Sequence, residues 1–178
     1  FLIALIIFMY HQNRKKLEEL TFVDPVTNGM NRIHFEMGAL QLLQNVPTKS
    51  YALVSLDIQK FKLINDTFGS EAGNQTLKYI HDILQAHLQD GELSARITAD
   101  NFNILIRTMP QKQIVARTEN IMKEINSYND HLAQKYFLTA SVGIYIVDEP
   151  NLNFIAIQDR ATVARKNVTH TYADHFSY

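Results

Sequence analysis

No cysteine occurs in the 178 residues, so disulfides and thiolate metal sites are excluded, and a reducing compartment is compatible with the chain. An excess of charge of one sign is also missing. The formal net charge is -1, without the concentrated basic surplus of a nucleic-acid surface, so no nucleic-acid partner is expected. His11, His34, His81, His87, His131, His170 and His175 form neither an HxxxH nor an HExxH pattern, and none is assigned a metal role. There is no repeat and no low-complexity segment, and no apolar run reaches the roughly 20 residues that a bilayer-spanning helix needs. Apolar material is nevertheless ample. At 46% hydrophobic residues the chain can build the core of one domain of ordinary size and still carry an extension.

The extension is the N-terminus. Phe1 to Tyr10 is almost wholly apolar and is followed by His11-Gln12-Asn13-Arg14-Lys15-Lys16. Apolar residues leading into a basic cluster read as the cytoplasmic end of a transmembrane helix, oriented by the positive-inside tendency. Residues 1–10 are therefore expected to be the end of a membrane segment whose earlier part is missing. A signal-peptide remnant and an amphipathic helix packed on the domain are the alternatives. The first fits poorly, because its basic residues should precede the apolar run and a small-residue cleavage site should follow. Residues 11–20, charged and leucine-spaced from Arg14 to Leu20, read as a linker helix.

Turn signals at Asp24-Pro25 and Asn28-Gly29 open the domain proper. A helix is predicted from Asn31 to Leu43 with Ile33, Met37, Leu40 and Leu43 on its apolar side, then a buried strand from Ser50 to Ile58. A short helix over Lys60 to Thr67 and a turn at Gly69 and Gly73 follow. Leu77, Ile80, Leu84 and Leu88 recur at helical spacing and predict an amphipathic helix from Gly73 to Gln89. Leu93 to Ile97 and Phe102 to Arg107 read as strands of a hairpin joined at Thr98-Ala99-Asp100-Asn101. A helix from Gln111 to Leu132, a strand from Phe137 to Val147 and a helix from Asn153 to Asn167 complete the order αβααββαβα. This is an α+β fold, an antiparallel central sheet covered by helices in the ferredoxin-like or polymerase-palm-like manner.

That order places Asp57 at a strand end and Asp100 in a hairpin, where two hard oxygen donors can hold Mg²⁺ or Mn²⁺ together with substrate phosphates. Spacing alone does not separate this from two solvated turn aspartates. More residues bear on the choice. Asp24-Pro25-Val26-Thr27-Asn28-Gly29-Met30-Asn31-Arg32, the run from Asp57-Ile58-Gln59-Lys60-Phe61-Lys62-Leu63-Ile64-Asn65-Asp66 to Gly69, the hairpin Arg96-Ile97-Thr98-Ala99-Asp100-Asn101-Phe102, Ser141-Val142-Gly143-Ile144, and Asp159 with Lys166 occur in one order. Together they resemble the GGDEF family of diguanylate cyclases from Leu20 to Lys166, and residues 21–170 are identified as such a domain, with 171–178 as a tail. The resemblance implies a nucleotidyl-cyclase-like fold.

In this family two monomers each bring one GTP to a shared interface, and each 3′-hydroxyl attacks the partner's α-phosphate to make cyclic di-GMP. By resemblance Asp57, the carbonyl of Ile58 and Asp100 take the metal positions, with Mg²⁺ or Mn²⁺ expected only alongside nucleotide. Phe61, Lys62, Asn65, Asn74 and Lys166 take nucleotide-binding positions, Lys62 and Lys166 toward phosphates and Asn65 and Asn74 toward guanine. GTP or a related nucleotide, a second copy of the domain, and a downstream phosphodiesterase domain outside this chain are the implied partners. The implied setting is a bacterial inner (cytoplasmic) membrane, with the domain facing the cytoplasm.

Departures fall on the signature itself, and no catalytic residue is expected to be intact. Thr98 and Ala99 replace two glycines that permit positive φ and close backbone approach, so the turn must be strained, reshaped or more crowded. Asn101 replaces an acidic residue linked to activating the attacking hydroxyl, and an amide cannot act as a general base. Asn74 replaces an aspartate facing the guanine donors, which weakens guanine preference. Ser70 stands where the family often has histidine. Gln89-Asp90-Gly91-Glu92 lacks the arginine of the family's Arg-x-x-Asp product site, so product feedback there is not expected. Three functions fit: a degenerate domain acting as a membrane-tethered regulatory or nucleotide-sensing module, a weak or altered-specificity cyclase, and a ligand-free dimerisation module.

Overall fold

The computed structural model describes residues 2–127, 138–149, 153–166 and 176–177. In chain order the elements are α1 (Leu2–Phe22), α2 (Arg32–Gln44), β1 (Tyr51–Ile58), α3 (Phe61–Phe68), α4 (Ser70–Ala86), β2 (Leu93–Thr98), β3 (Asn101–Arg107), α5 (Gln111–Ser127), β4 (Ala140–Ile146), α6 (Phe154–Lys166) and β5 (Phe176–Ser177). The sheet order is β2-β3-β1-β4-β5. Its first four strands are antiparallel, and β5 runs parallel to β4. The α+β expectation therefore holds.

β1 lies in the sheet interior and is apolar on both faces, since successive side chains point to opposite sides. Ala52, Val54, Leu56 and Ile58 join Leu77, Ile80 and Leu84 of α4 and Ile114, Ile121 and Ile125 of α5 on one side. Tyr51 and Leu53 join Phe35 and Ala39 of α2 and Phe154, Ile157 and Ala161 of α6 on the other. Each fully buried leucine or isoleucine in these layers contributes on the order of 2 kcal/mol. With both faces covered, the sheet leaves only its ends and edges to solvent, and the C-terminal end of β1 becomes the natural place for chemistry.

Several expectations are corrected. The inward face of α2 is set by Phe35 and Ala39, both fully buried, while Ile33 and Met37 stay 52% and 55% exposed. A small alanine lets the helix come close to the sheet, and the Phe35 ring meets Phe154 edge-on at 5.7 Å, so these two residues outweigh the aliphatic periodicity. α4 starts at Ser70, which puts Gly73 inside the helix, beneath the side chain of Asn65, instead of in a turn. Strand pairing continues to Thr98 and Asn101, which shortens the hairpin turn to Ala99 and Asp100. The ends expected for the α5 helix at Leu132, the β4 strand at Phe137 and the α6 helix at Asn167 lie outside the described residues, as does most of the 171–178 tail.

The N-terminal segments form one continuous helix, α1, with no break between residues 1–10 and 11–20 among those described. No described helix is long and apolar enough to cross a membrane. The large apolar side chains from Leu2 to Tyr10 are nonetheless exposed. Asn31 fastens the far end of α1 to the domain: its Nδ2 donates to the Thr21 carbonyl at 2.8 Å, and its Oδ1 caps α2 by accepting from the His34 N–H at 3.0 Å.

Candidate functional site

Asp57, the penultimate residue of β1, pairs across the sheet with Asn101 on β3 and Ser141 on β4. The next residue, Ile58, donates its N–H to the Asp100 carbonyl at 3.1 Å. These ladder contacts bring Asp57, Asp100 and Asn101 to one end of the sheet. Asp57 Oδ2 accepts from Gln59 Nε2 at 3.2 Å, and the same amide donates to Ser141 Oγ at 2.9 Å. On its other side, Asp57 Oδ1 faces Arg165 Nη1 at 3.8 Å. Arg165 also donates to Asn101 Oδ1, and Asn101 Nδ2 donates to Asp100 Oδ1 at 3.3 Å. Burial pushes the Asp100 carboxyl above its ordinary value and the Asp57 charge adds to this, while Arg165 and Arg96 pull it back.

The hairpin tip resolves the missing-glycine question locally. Of the two residues at the glycine positions, only Ala99 takes positive φ, at 41°, while β-branched Thr98 stays out of the left-handed region. An alanine there stores roughly 1 kcal/mol of strain. Arg96 holds the turn by donating from Nε to the Ala99 carbonyl at 2.6 Å. Its Nη1 reaches both Asp24 carboxylate oxygens, at 2.9 and 3.1 Å. Burial alone would raise the Asp24 carboxyl, but the Thr27 N–H, the Arg96 charge and the hydrogen bonds from both side chains outweigh it and hold the group below its ordinary value.

The remaining expected residues sit around this cluster with different exposures. Lys62 and Lys166 are exposed, Asn65 is half-buried over Gly73, and Asn74 is exposed on the next residue of α4. Phe61 is buried with Ile64 and Leu77 in the core, so its ring is not offered to solvent. At the product-site position Glu92 is buried and accepts from the N–H groups of Gln89 and Arg107 at 2.9 and 3.0 Å. An arginine does reach it, Arg117 from α5, at 2.9 and 2.5 Å, but that guanidinium is engaged by the glutamate itself.

Two functional-site residues escaped sequence reasoning. Gln59 lies in the run from Asp57 to Gly69, where nothing in the spacing gives it a role. Arg165 stands next to Lys166 and carried no separate signal; only the packing of α6 on β4 reveals it. That packing is close because of Gly143, where an added Cβ would fall 2.1 Å from the Ala161 carbonyl oxygen and 2.4 Å from the Arg165 nitrogen.

Comparison with known proteins decides the lineage. The sequence profile described as diguanylate cyclase, GGDEF domain, matches residues 21–172. The chain belongs to this GGDEF family. It is 27% identical over 159 residues to "Probable diguanylate cyclase DgcE" of Escherichia coli, a match covering 86% of this chain and 14% of that protein. It is also 27% identical over 169 residues to the cyclic di-GMP phosphodiesterase PdeB of Shewanella oneidensis, covering 90% of this chain and 20% of that protein. The chain thus spans a minor part of these curated relatives. Among solved structures, the coiled coil and GGDEF domain of DgcB from Caulobacter crescentus, in complex with c-di-GMP, superposes with a TM-score of 0.74 at 19% identity, over 92% of this chain and 88% of that one. The S helix-GGDEF-EAL structure of Vibrio cholerae LapD, bound to c-di-GMP, gives 0.78 at 16% identity, over 96% of this chain and 40% of that one. These likenesses establish the GGDEF fold.

GGDEF diguanylate cyclases normally use Mg²⁺ with GTP. Here no group of three or more His, Cys, Asp or Glu able to hold a metal occurs among the described residues, and a guanidinium stands against the Asp57 carboxylate. One oxygen of each aspartate already accepts an amide and a guanidinium faces another, so this donor set does not fit a divalent ion.

Proposed function

We propose that this GGDEF domain is a regulatory, nucleotide-sensing module in cyclic di-GMP signalling that does not make cyclic di-GMP itself. The observation that carries the reading is Asn101. An amide stands at the position expected to help activate the attacking hydroxyl, and it is tied to Arg165 and Asp100, so it takes no proton. The retained Lys62, Asn65 and Lys166 would meet phosphates and guanine, and Asn74 lowers the preference for GTP over ATP. Mg²⁺ or Mn²⁺ is not carried into this reading, because of Arg165.

The apolar, exposed start of α1 supports attachment to an inner membrane, with the domain on the cytoplasmic side. A phosphodiesterase domain elsewhere in the protein, or a second copy of this one, would receive the output. Such a relay works by conformation, and nucleotide shifts it only if it favours one state.

The test is product analysis. The purified chain, incubated with GTP and Mg²⁺ over a range of protein concentrations, is expected to yield no cyclic di-GMP. Robust product that rises with protein concentration overturns the reading and establishes the second one, a weak or altered-specificity cyclase. For the regulatory output, partner activity in the reconstituted full-length protein is compared with and without residues 21–170. Equal activity and equal response to GTP would leave the domain a passive spacer.

A further inference from the structure

We propose that Arg165 is a built-in counter-cation, standing where a divalent ion would, so that the site between Asp57 and the hairpin tip excludes metal. The proposal deepens the reading of the same site as non-catalytic and rests on it only for the site's place in the domain.

Arg165 keeps 13% of its side chain exposed, and a charge so enclosed needs partners. It has Asp57 Oδ1 at 3.8 Å and Asn101 Oδ1 in direct contact. Asn101 suits this position because an amide has two faces: its oxygen accepts from Arg165 while its nitrogen donates to Asp100 at 3.3 Å. A carboxylate at 101 could accept from Arg165 but could not donate to Asp100. Asn101 and Arg165 therefore belong together, the amide bridging the guanidinium to the second aspartate by hydrogen bonds.

One oxygen on each aspartate is already in use. Asp57 Oδ2 holds the Gln59 amide, Asp100 Oδ1 holds the Asn101 amide, and Asn101 Oδ1 holds the guanidinium. Mg²⁺ demands near-octahedral oxygen coordination and gives up water reluctantly, so it competes poorly for such donors. Like charge adds to the difficulty, since a cation entering here would approach a guanidinium in a poorly screened setting. Nor is the arginine loosely placed. Its backbone sits where a Cβ on Gly143 would lie 2.4 Å from the Arg165 nitrogen, so α6 is seated directly on β4.

The experiment is a Mn²⁺ titration of the full chain without nucleotide, read by the loss of the free-ion electron paramagnetic resonance signal. Wild type is expected to bind no Mn²⁺ at this site through the low millimolar range. Arg165→Ala and Arg165→Gln, each checked for folding by thermal unfolding, should bind Mn²⁺ at least about tenfold more tightly. Adding Asp57→Ala to either should abolish the gain. Wild-type Mn²⁺ binding that Asp57→Ala removes would overturn the proposal, and so would folded Arg165 variants that bind no more than wild type. If both variants unfold, Arg165→Met, which keeps the aliphatic stem and drops the charge, carries the same expectation and the same overturning result. Turnover plays no part in the readout, so cyclic di-GMP formation would defeat the functional reading without touching this result, and the converse also holds.

Discussion

Gly29 lies directly against the ring of His81, so close that a Cβ at position 29 would stand 2.0 Å from His81 Cε1. The turn between α1 and α2 thus rests on α4 through a histidine, not an aliphatic side chain. Gly29→Ala must displace a buried ring, and overpacking of this kind costs about 2 kcal/mol. Urea unfolding should show that loss. His81→Ala in the same chain should return part of it, and a double-mutant cycle with no coupling would show that the contact is not made.

His81 also predicts a pH dependence. Burial lowers its pKa below 6.5, Lys78 works in the same direction, and Asp82 and Asp24 oppose it. Its Nδ1 has no hydrogen-bond partner among the described residues. The fold therefore favours the neutral ring. This contribution is fully present above pH 6.5 and is lost as pH falls through the folded-state value. Denaturant unfolding across a pH series should show the decline, and His81→Asn should lack it.

A second acid step belongs to Asp24 and Glu92. For Glu92 burial acts upward, but Arg117 and the Gln89 and Arg107 N–H groups prevail and hold its carboxyl low. Both groups stabilise the fold fully above their ordinary values of 3.8 and 4.5, and this is lost as pH falls through their depressed values. Asp100, pushed upward, has the opposite sign and softens the step. Asp24→Asn and Glu92→Gln should each flatten the acid limb of the stability curve.

Arg96→Ala should cost roughly 2–3 kcal/mol in unfolding experiments, because it leaves Asp24 with 11% side-chain exposure and no guanidinium. It also frees the Ala99 carbonyl, so amide exchange at the hairpin tip should accelerate beyond what the global loss accounts for. Equal acceleration throughout the sheet would mean that Arg96 does not hold the tip.

Asn101→Glu should not create a cyclase. The new carboxylate would be held by Arg165, and Ala99 and Asn74 would remain. The check is product analysis with GTP and Mg²⁺, and efficient cyclic di-GMP synthesis by the single variant would contradict this account of the tip.

Much of the architecture was readable in advance because its signals are local. The apolar run of β1, the turn after β2 and the repeating leucines and isoleucines of α4 are each local, and so is the placing of Asp57 at a strand end and Asp100 in a hairpin turn. What escaped depends on contacts between elements. The inward face of α2 follows from Phe35 meeting Phe154, a partner far along the chain. Gly73 looked like a turn residue, yet it is small because Asn65 packs over it. Arg165 meets Asn101 only after Gly143 has seated α6 on β4, and no spacing within α6 announces that.

The knot at Asn31 gives α1 a mechanical meaning. Asn31 clasps the last turn of α1 to the first turn of α2, and the backbone bridge between Val23 and Met30 closes the loop between them. Within that loop Asp24 is bolted through Arg96 to the carbonyl of Ala99. The join is an elbow pinned on both sides, and a short run of hydrogen bonds connects it to the turn that carries Asp100.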